Sequence, residues 1–570
     1  MVNITPEIIR TYALENAIKH KGKAAQGAVL AGLFAEGLEK SEIKSIIPSI
    51  QQVLKKVNTM SLEQQQKEFD KSNSKTSKRE IREGLKELPN AEKGKVIMRL
   101  APFPSGPLHI GNARNMILND EYAKMYNGKL LLFFDDTIGS ANKRIEPESY
   151  ELIKEGLDWL EINYEGSPES CPKRTKKILY KSNRTKKYYE YAEELLRKEY
   201  LYVCHCDQEK MQDLKAKGVE CSCRKLPSIK QMQRWKEMFT APMGSMTARL
   251  KTSMQDSDPA FRDRVMFKIS DFPHPKTGTK FRVYPSMEFS WGIDDHIFGS
   301  THILRGTDHQ MSTRVQDFIR GIFKWENPTS FFHGILEIKG VKISKSKGTQ
   351  KIKSGEFIGW NDPRTWSFQS LRDRGFQPQA VREFIINLGI KKANITTPIE
   401  TLMLLNKKLI GDAPRYFFIE NPQKITIKGS PHLEAKIPKH PNNELGYRTL
   451  KTTQEFLISQ GDFNLLDDQD YRLMHLLTFK SQKTGLTPRD FSFISEEPPT
   501  TKTKFLHWLP ASPNNIYVEV LMPDGTRKEG LGEYELEKLK VGDVIQFERF
   551  GFCRLHKKEK EKLEFWFAHI

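Results

Sequence analysis

Two short segments hold residue types suited to a polyphosphate. The first, PFPSGPLHIGN (Pro102–Asn112), lies between an apolar run and a helical pattern. A Gly/Pro turn there leaves backbone N–H groups exposed at a helix N-terminus, where phosphate binds. His109 adds a donor, and Gly111 lets a nucleotide come close to the backbone. The second, VKISKSKG (Val341–Gly348), puts lysines and small hydroxyls on a loop after a strand, which suits a mobile polyphosphate clamp. Each alone is ordinary, since HxG arises by chance and KSK is commonly a solvated loop. Both together, flanking a divided α/β pattern, are much harder to dismiss.

The elements that must position them can be read around them. KVIMRL predicts a strand, LHIGNARNMILNDEYAKMY a helix, KLLLFFDD a strand and ESYELIKEGLDWL a helix. After an interruption the alternation returns: HILRG as a strand, QMSTRVQDFIRGIF as a helix, SFFHGILEI as a strand. Such alternation predicts a parallel α/β sheet. The interruption, near 195–280, reads as an inserted domain. Residues 1 to about 60 have helical periodicity, and the polar stretch 61–85 reads as a mobile linker with a solvated helix. PQAVREFIINLGI is helical; from PRYFFIENP onward the period turns to two, predicting β-barrels or a sandwich.

A chain of 570 residues predicts three to five domains. The net charge of +19 suits a nucleic-acid partner, or else reflects a solvated basic surface. No apolar run approaches the ~18 residues a spanning helix needs, and no secretory pattern is visible, so a cytoplasmic protein is expected. Four of six cysteines (Cys204, Cys206, Cys221, Cys223) cluster as C-x-C-x14-C-x-C. That spacing fits a structural Zn²⁺ site, with His205 an alternative ligand, or a set of reduced free thiols.

With these motifs the sequence resembles the class I aminoacyl-tRNA synthetases, in particular the archaeal-type glutamyl and glutaminyl branch. LHIGN stands where the family has HIGH, and KISKS where it has KMSKS. FFDDT, YKSNRTKKYYEYAEELL, DDHIFGSTHILRGTDH and FLHWLP are also similar to that branch. The resemblance implies a multidomain α/β plus β chain. Residues 1–92 would be an N-terminal helical extension and linker. Residues 93–196 and 276–365 would be the halves of a split Rossmann-like catalytic domain, around an inserted acceptor-end-binding domain at 197–275. A helical connector (366–414) and a β-barrel anticodon-binding region (415–570) would follow.

The implied reaction joins glutamate to tRNA through glutamyl-adenylate, with ATP and Mg²⁺, in a chain expected to act as a monomer away from membranes. The resemblance implies catalytic roles for His109, Lys342, Ser344, Lys345 and Ser346. It places Pro102, Pro104, Ser105 and Gly106 with His109, Gly111, Asn112, Asp308 and Lys345 around ATP. Arg305 ends the HILRG strand, where glutaminyl members lack an arginine, and Arg99 ends the first strand. A guanidinium there would pair with a side-chain carboxylate in a bidentate fork; an ion pair between Arg305 and Asp308 is the structural alternative. Asp135 would receive the substrate ammonium, with Tyr284, Met287 and Trp291 around the same pocket. Asn112 departs from the expected histidine and Met287 from the expected tyrosine. These departures keep open a catalytically impaired tRNA-binding paralogue, beside a glutaminyl-specific enzyme. Aromatic and basic residues near the end (Phe547, Arg549, Phe550, Phe552, Arg554, Trp566) suit either base stacking or a barrel core.

Overall fold

Short leucine- and phenylalanine-rich runs form the first parallel sheet. The strands Ile97–Leu100 (β1), Lys129–Phe134 (β2) and Ile178–Tyr180 (β3) pair in parallel. The computed structural model describes residues 5–20, 22–35, 38, 42–71, 84–137, 144–164, 178–341, 344–442, 444–483, 489–499 and 503–570. The chain divides into two compact units, residues 1–83 and 84–570.

The first unit has helices at Pro6–Lys19, Gln26–Ala35, Ile43–Val57 and Leu62–Lys71. Thr5 caps the first of these by accepting a hydrogen bond from the Ile8 N–H, and Pro6 follows in the first turn. Ile9, Ala13, Val29, Leu33, Ile50 and Val57 fill a small core. The helix read as solvated is tied down instead. Gln65 is fully buried and donates to the carbonyls of Gly22 (3.0 Å) and Val57 (2.8 Å). The remainder of the expected linker, 72–83, lies outside the described residues.

In the second unit an antiparallel sheet interrupts the parallel one. It comprises Leu201–Cys204 (β4), Thr247–Leu250 (β5), Val265–Ile269 (β6) and Val283–Pro285 (β7), in that order. Trp235, Phe267 and Phe289 pack in its core. Its last strand thus runs past residue 275, where the sequence suggested the insertion ends. The parallel pattern then resumes with His302–Gly306 (β8) and Thr329–His333 (β9). The β8 end meets β1: Thr301 N–H donates to the Ile97 carbonyl at 2.9 Å, and Ile97 N–H to Thr301 Oγ1 at 2.9 Å. The two halves therefore meet at the first strand of each. SFFHGILEI is not one strand. It breaks after His333, and Leu336–Lys339 (β10) pairs instead with Ile395–Pro398. Gly334 stands at the break, so close to the Ala393 carbonyl that any Cβ would collide with backbone.

Beyond the connector helices, two seven-stranded sheets form the C-terminal region. In one, the edge strands are Arg415–Tyr416 and Phe418–Glu420, consecutive pieces of chain, so the sheet nearly closes on itself. In the other, the edges are Lys504–Leu506 and Leu509–Pro510, again near neighbours in sequence. Phe547, Phe552 and Trp566 are buried, so these aromatics belong to the interior rather than to a stacking surface. Arg549 is spent on Asp462, at 2.9 Å.

Arg448 ties this region together. Fully buried, it donates to Glu533 Oε1 (2.9 Å), Glu548 Oε1 (2.8 Å) and the Pro438 carbonyl (2.8 Å). Burial pushes the Glu533 carboxyl up to about 7 although Arg448 opposes it. Arg448→Met would leave those carboxylates without their cation, with only the Phe417 N–H, among the described residues, still donating to Glu533. Calorimetric unfolding of the full chain is expected to show a loss of about 3 kcal/mol or more; a loss below about 1 kcal/mol would contradict the role given to this ion pair.

Candidate active site

The PFPSGP turn leaves β1 and folds over the end of β2. Asp135 N–H donates to the Pro102 carbonyl (3.1 Å), and Glu146 N–H to that of Pro104 (2.9 Å). Gly106 has φ of +143°, a conformation that favours glycine, with the Lys345 side chain and the Trp360 ring beside it. His109 is the N-cap of the helix Ile110–Met125. Asn112 Oδ1 accepts the His109 backbone N–H at 3.2 Å. The asparagine that departs from the family motif thus satisfies one of the donors at this helix start. Burial first, and Lys345 second, lower the His109 imidazole to about 3, so it is neutral at physiological pH.

Two cavities meet at this motif. The larger, about 570 Å³, is lined by His109, Ser344, Lys345, Lys347, Lys351 and Arg364 among others. Ser344 caps the helix Lys345–Lys353 by accepting from the Lys347 N–H, which places the N-terminal turn and its lysines at the cavity wall. Ser346 is exposed and outside this lining, while Lys342 lies outside the described residues. A cationic wall, a helix N-terminus and a neutral imidazole make a receptacle for a polyphosphate chain.

The smaller cavity, about 320 Å³, lies over the carboxyl ends of β1, β2 and β8 and takes in Gly111 and Asn112 from the same motif. Arg99, Asp135, Met287, Trp291, Arg305 and Asp308 all line it. Met287 opens the helix Met287–Ile297, capped by Ser286, and Trp291 follows one turn later. Tyr284 does not line it; it is buried beside His274.

Within this cavity the charged groups differ in how far they are already committed. Arg99 forms a buried bidentate pair with Asp295 (2.5 and 3.0 Å) and lies 3.5 Å over the Trp291 ring. Asp135 accepts from Trp291 Nε1 (3.1 Å) and is 3.2 Å from Lys181 Nζ. Lys181 is fully buried; burial lowers its ammonium to about 8 against the pull of Asp135. Arg305 differs. Its Nη1 donates to Gln316 Oε1 at 3.0 Å, and its buried Nη2 has no partner among the described residues. It makes no ion pair with Asp308, whose side chain is 66% exposed and turns toward His309 instead. Burial, with Arg99 adding to it, lowers the Arg305 guanidinium to about 9. An unpartnered buried guanidinium N–H is costly unless a ligand oxygen meets it.

Sequence reasoning missed Lys181, Asp295, Gln316 and Arg320. Gln316 and Arg320 carried a faint signal, as polar groups one helical turn apart beside the apolar Val315 and Ile319. Asp295 stood inside a quoted motif, but its pairing across the sheet, 196 residues from Arg99, has no local trace.

The four clustered thiols converge, and exposed His205 is not among them. All four sulfurs lie within 4.8 Å of one another, and those of Cys204 and Cys221 are 3.9 Å apart. Three of the four residues are buried. The set fits the tetrahedral Cys₄ arrangement of a structural zinc.

Residues 95–411 match the family described as class I tRNA synthetases (E and Q), catalytic domain. Residues 413–489 and 505–556 match two anticodon-binding domains of the same class. A glutamate–tRNA ligase of Methanocaldococcus jannaschii is 39% identical over 99% of this chain and 100% of its own length. One of Pyrococcus abyssi is 40% identical over 98% of both chains. One of Methanococcus maripaludis is 37% identical over 99% of this chain and 100% of its own.

The buried donor on Arg305 predicts that a dicarboxylate, glutamate for instance, raises the thermal unfolding temperature. At about 100 times Kd, binding adds about 2.7 kcal/mol. Arg305→Ala is expected to abolish the shift; a shift that persists undiminished would place the anion elsewhere.

Proposed function

The chain belongs to the glutamyl and glutaminyl branch of the class I tRNA synthetases, and from that premise we propose that it attaches glutamate to tRNA at the expense of ATP. The glutamate α-carboxylate oxygen attacks the α-phosphate of ATP, and the bond to the bridging oxygen breaks, releasing pyrophosphate. A ribose hydroxyl at the tRNA 3′ end then takes the glutamyl group, and AMP leaves. Such a reaction needs placement and charge stabilisation rather than covalent help from the protein.

The observation that carries the choice of glutamate is Arg305, with a buried N–H that meets no acceptor among the described residues. A carboxylate pairs with that charge, whereas a glutamine amide leaves it uncompensated. Sites of this kind discriminate by ~10⁴ or more. Arg99, held by Asp295, contributes positive potential and supports Trp291 rather than offering its fork to the substrate. Asp135 receives the substrate ammonium beside Lys181, with Met287 and Trp291 as walls.

ATP, arriving with Mg²⁺, spans the two cavities. Its nucleoside end lies along Gly111, Asn112 and Asp308. Its phosphates reach past the Pro102–Gly106 turn toward His109 and Lys345, with Ser344 holding the lysine helix. Asn112 preserves the motif turn through the His109 backbone, which favours a competent enzyme over a disabled paralogue. The inserted sheet holds the tRNA acceptor end, the segment 366–414 connects, and the C-terminal sheets meet the anticodon. No described helix is long and apolar enough to cross a membrane.

In a pyrophosphate-exchange assay with tRNA present, glutamate is expected to support exchange and glutamine not. Lys345→Ala should lower the rate about a hundredfold through loss of one charge-stabilising donor; exchange driven by glutamine alone, or an unchanged Lys345→Ala rate, would refute this mechanism. We further propose that the four cysteines hold one structural Zn²⁺. Metal analysis of the purified chain should find one zinc per molecule, and Cys221→Ser with Cys223→Ser should remove it; a zinc-free protein with the same unfolding temperature before and after added Zn²⁺ would exclude the site.

A further inference from the structure

The guanidinium of Arg305 does not aim itself. It sits among Arg99, Arg320 and the carboxylate of Asp295. Arg99 takes both oxygens of Asp295. Arg320 Nη1 also lies 3.7 Å from Asp295 Oδ2, while its other nitrogens bond Asn327 (2.9 Å) and Asp317 (2.7 Å). Three guanidiniums thus face two carboxylates, and the carboxylate shared between them is claimed by Arg99. The hydrogen-bond acceptor that meets Arg305 among the described residues is neutral: Gln316 Oε1, at 3.0 Å.

Gln316 is fully buried on the helix Gln310–Phe323, and its own Nε2 also lacks a partner among the described residues. Because arginine only donates, the amide must present its oxygen to Nη1, which leaves the amide nitrogen without an acceptor. A buried donor left unmet carries a penalty. A glutamate side chain at this position would have the same shape and two acceptor oxygens, and would remove that penalty by pairing with Arg305. It would also cancel the charge on which the substrate depends.

We propose that Gln316 is a specificity-determining positioning residue: a neutral acceptor that orients Arg305 while leaving its charge for the side-chain carboxylate of the substrate. This rests on the reading that Arg305 meets glutamate. Gln316 touches the substrate only through Arg305. Its role is to be uncharged as well as to accept a hydrogen bond, which separates it from a merely structural glutamine.

The test compares Gln316→Glu, Gln316→Leu and Arg305→Ala in steady-state aminoacylation with glutamate and with glutamine, alongside thermal unfolding. Gln316→Glu should fold with an unfolding temperature equal to or above that of the parent, since a buried arginine gains a partner. Its KM for glutamate should rise about 100-fold while kcat stays within a few-fold, because binding of the side chain is lost rather than the chemistry. Its preference for glutamate over glutamine should fall by a similar factor. Gln316→Leu keeps the charge and loses the aim, so its KM for glutamate should rise by roughly tenfold with selectivity largely kept. A KM within about threefold of the parent in Gln316→Glu overturns the proposal when Arg305→Ala raises KM as expected. Should Gln316→Glu fail to fold, an unaltered KM in Gln316→Leu overturns it equally. A normal KM in Arg305→Ala would instead bring down the glutamate reading itself, and the role of Gln316 with it.

Discussion

A surplus of buried positive charge at the carboxyl ends of the parallel strands governs this site. Asp295 is fully buried, and Arg99 grips both of its oxygens. Burial alone would raise the Asp295 carboxyl; the arginines around it hold it below its ordinary value instead. The pair also spans the split, because Arg99 comes from the first half of the sheet and Asp295 from the helix that precedes the second. Arg305 and Arg320 each keep a buried nitrogen short of an acceptor among the described residues, and of the two it is Arg305 that lines the cavity. An apolar pocket of the same size would bind many amino acids weakly; one with an unmet buried donor selects for a side chain that brings charge.

The second constraint is the sharing of one helix start between two compartments. His109 faces the lysine-lined cavity and Asn112 the arginine-lined one, three residues on. The bond from the His109 N–H to Asn112 Oδ1 holds these two residues in a fixed relation. Proximity of this kind converts an encounter between two reactants into a question of geometry. Burial and the nearby Lys345 keep His109 neutral, so the positive charge of that wall comes from the lysines.

Much of this was legible in the chain. The strand-turn-helix order around Pro102–Asn112, the return of the pattern at His302 and the convergence of four cysteines follow from local spacing and turn chemistry. Arg305 could be singled out by its place at a strand end. What escaped were partnerships at long range: Lys181 with Asp135, Asp295 with Arg99, and Gln316 beneath Arg305. Nothing in a window of sequence reports that a buried lysine already sits beside an aspartate read as a substrate ligand. The break in SFFHGILEI was hidden for a similar reason, since the obstacle to Gly334 comes from Ala393, far along the chain. The Leu62–Lys71 helix misled because its anchor is one polar side chain, Gln65, rather than an apolar stripe.

The two C-terminal sheets bring their first and last strands together from adjacent stretches of backbone. A strand at an open rim offers a row of unmet N–H and C=O groups on which another polypeptide can template itself. Here each rim is curled back until its margins are almost continuous, so little of that ladder is left on offer. A region built from so many strands can then display a polar exterior without inviting neighbours to add to it, and its affinity for other molecules is left to side chains rather than to main chain.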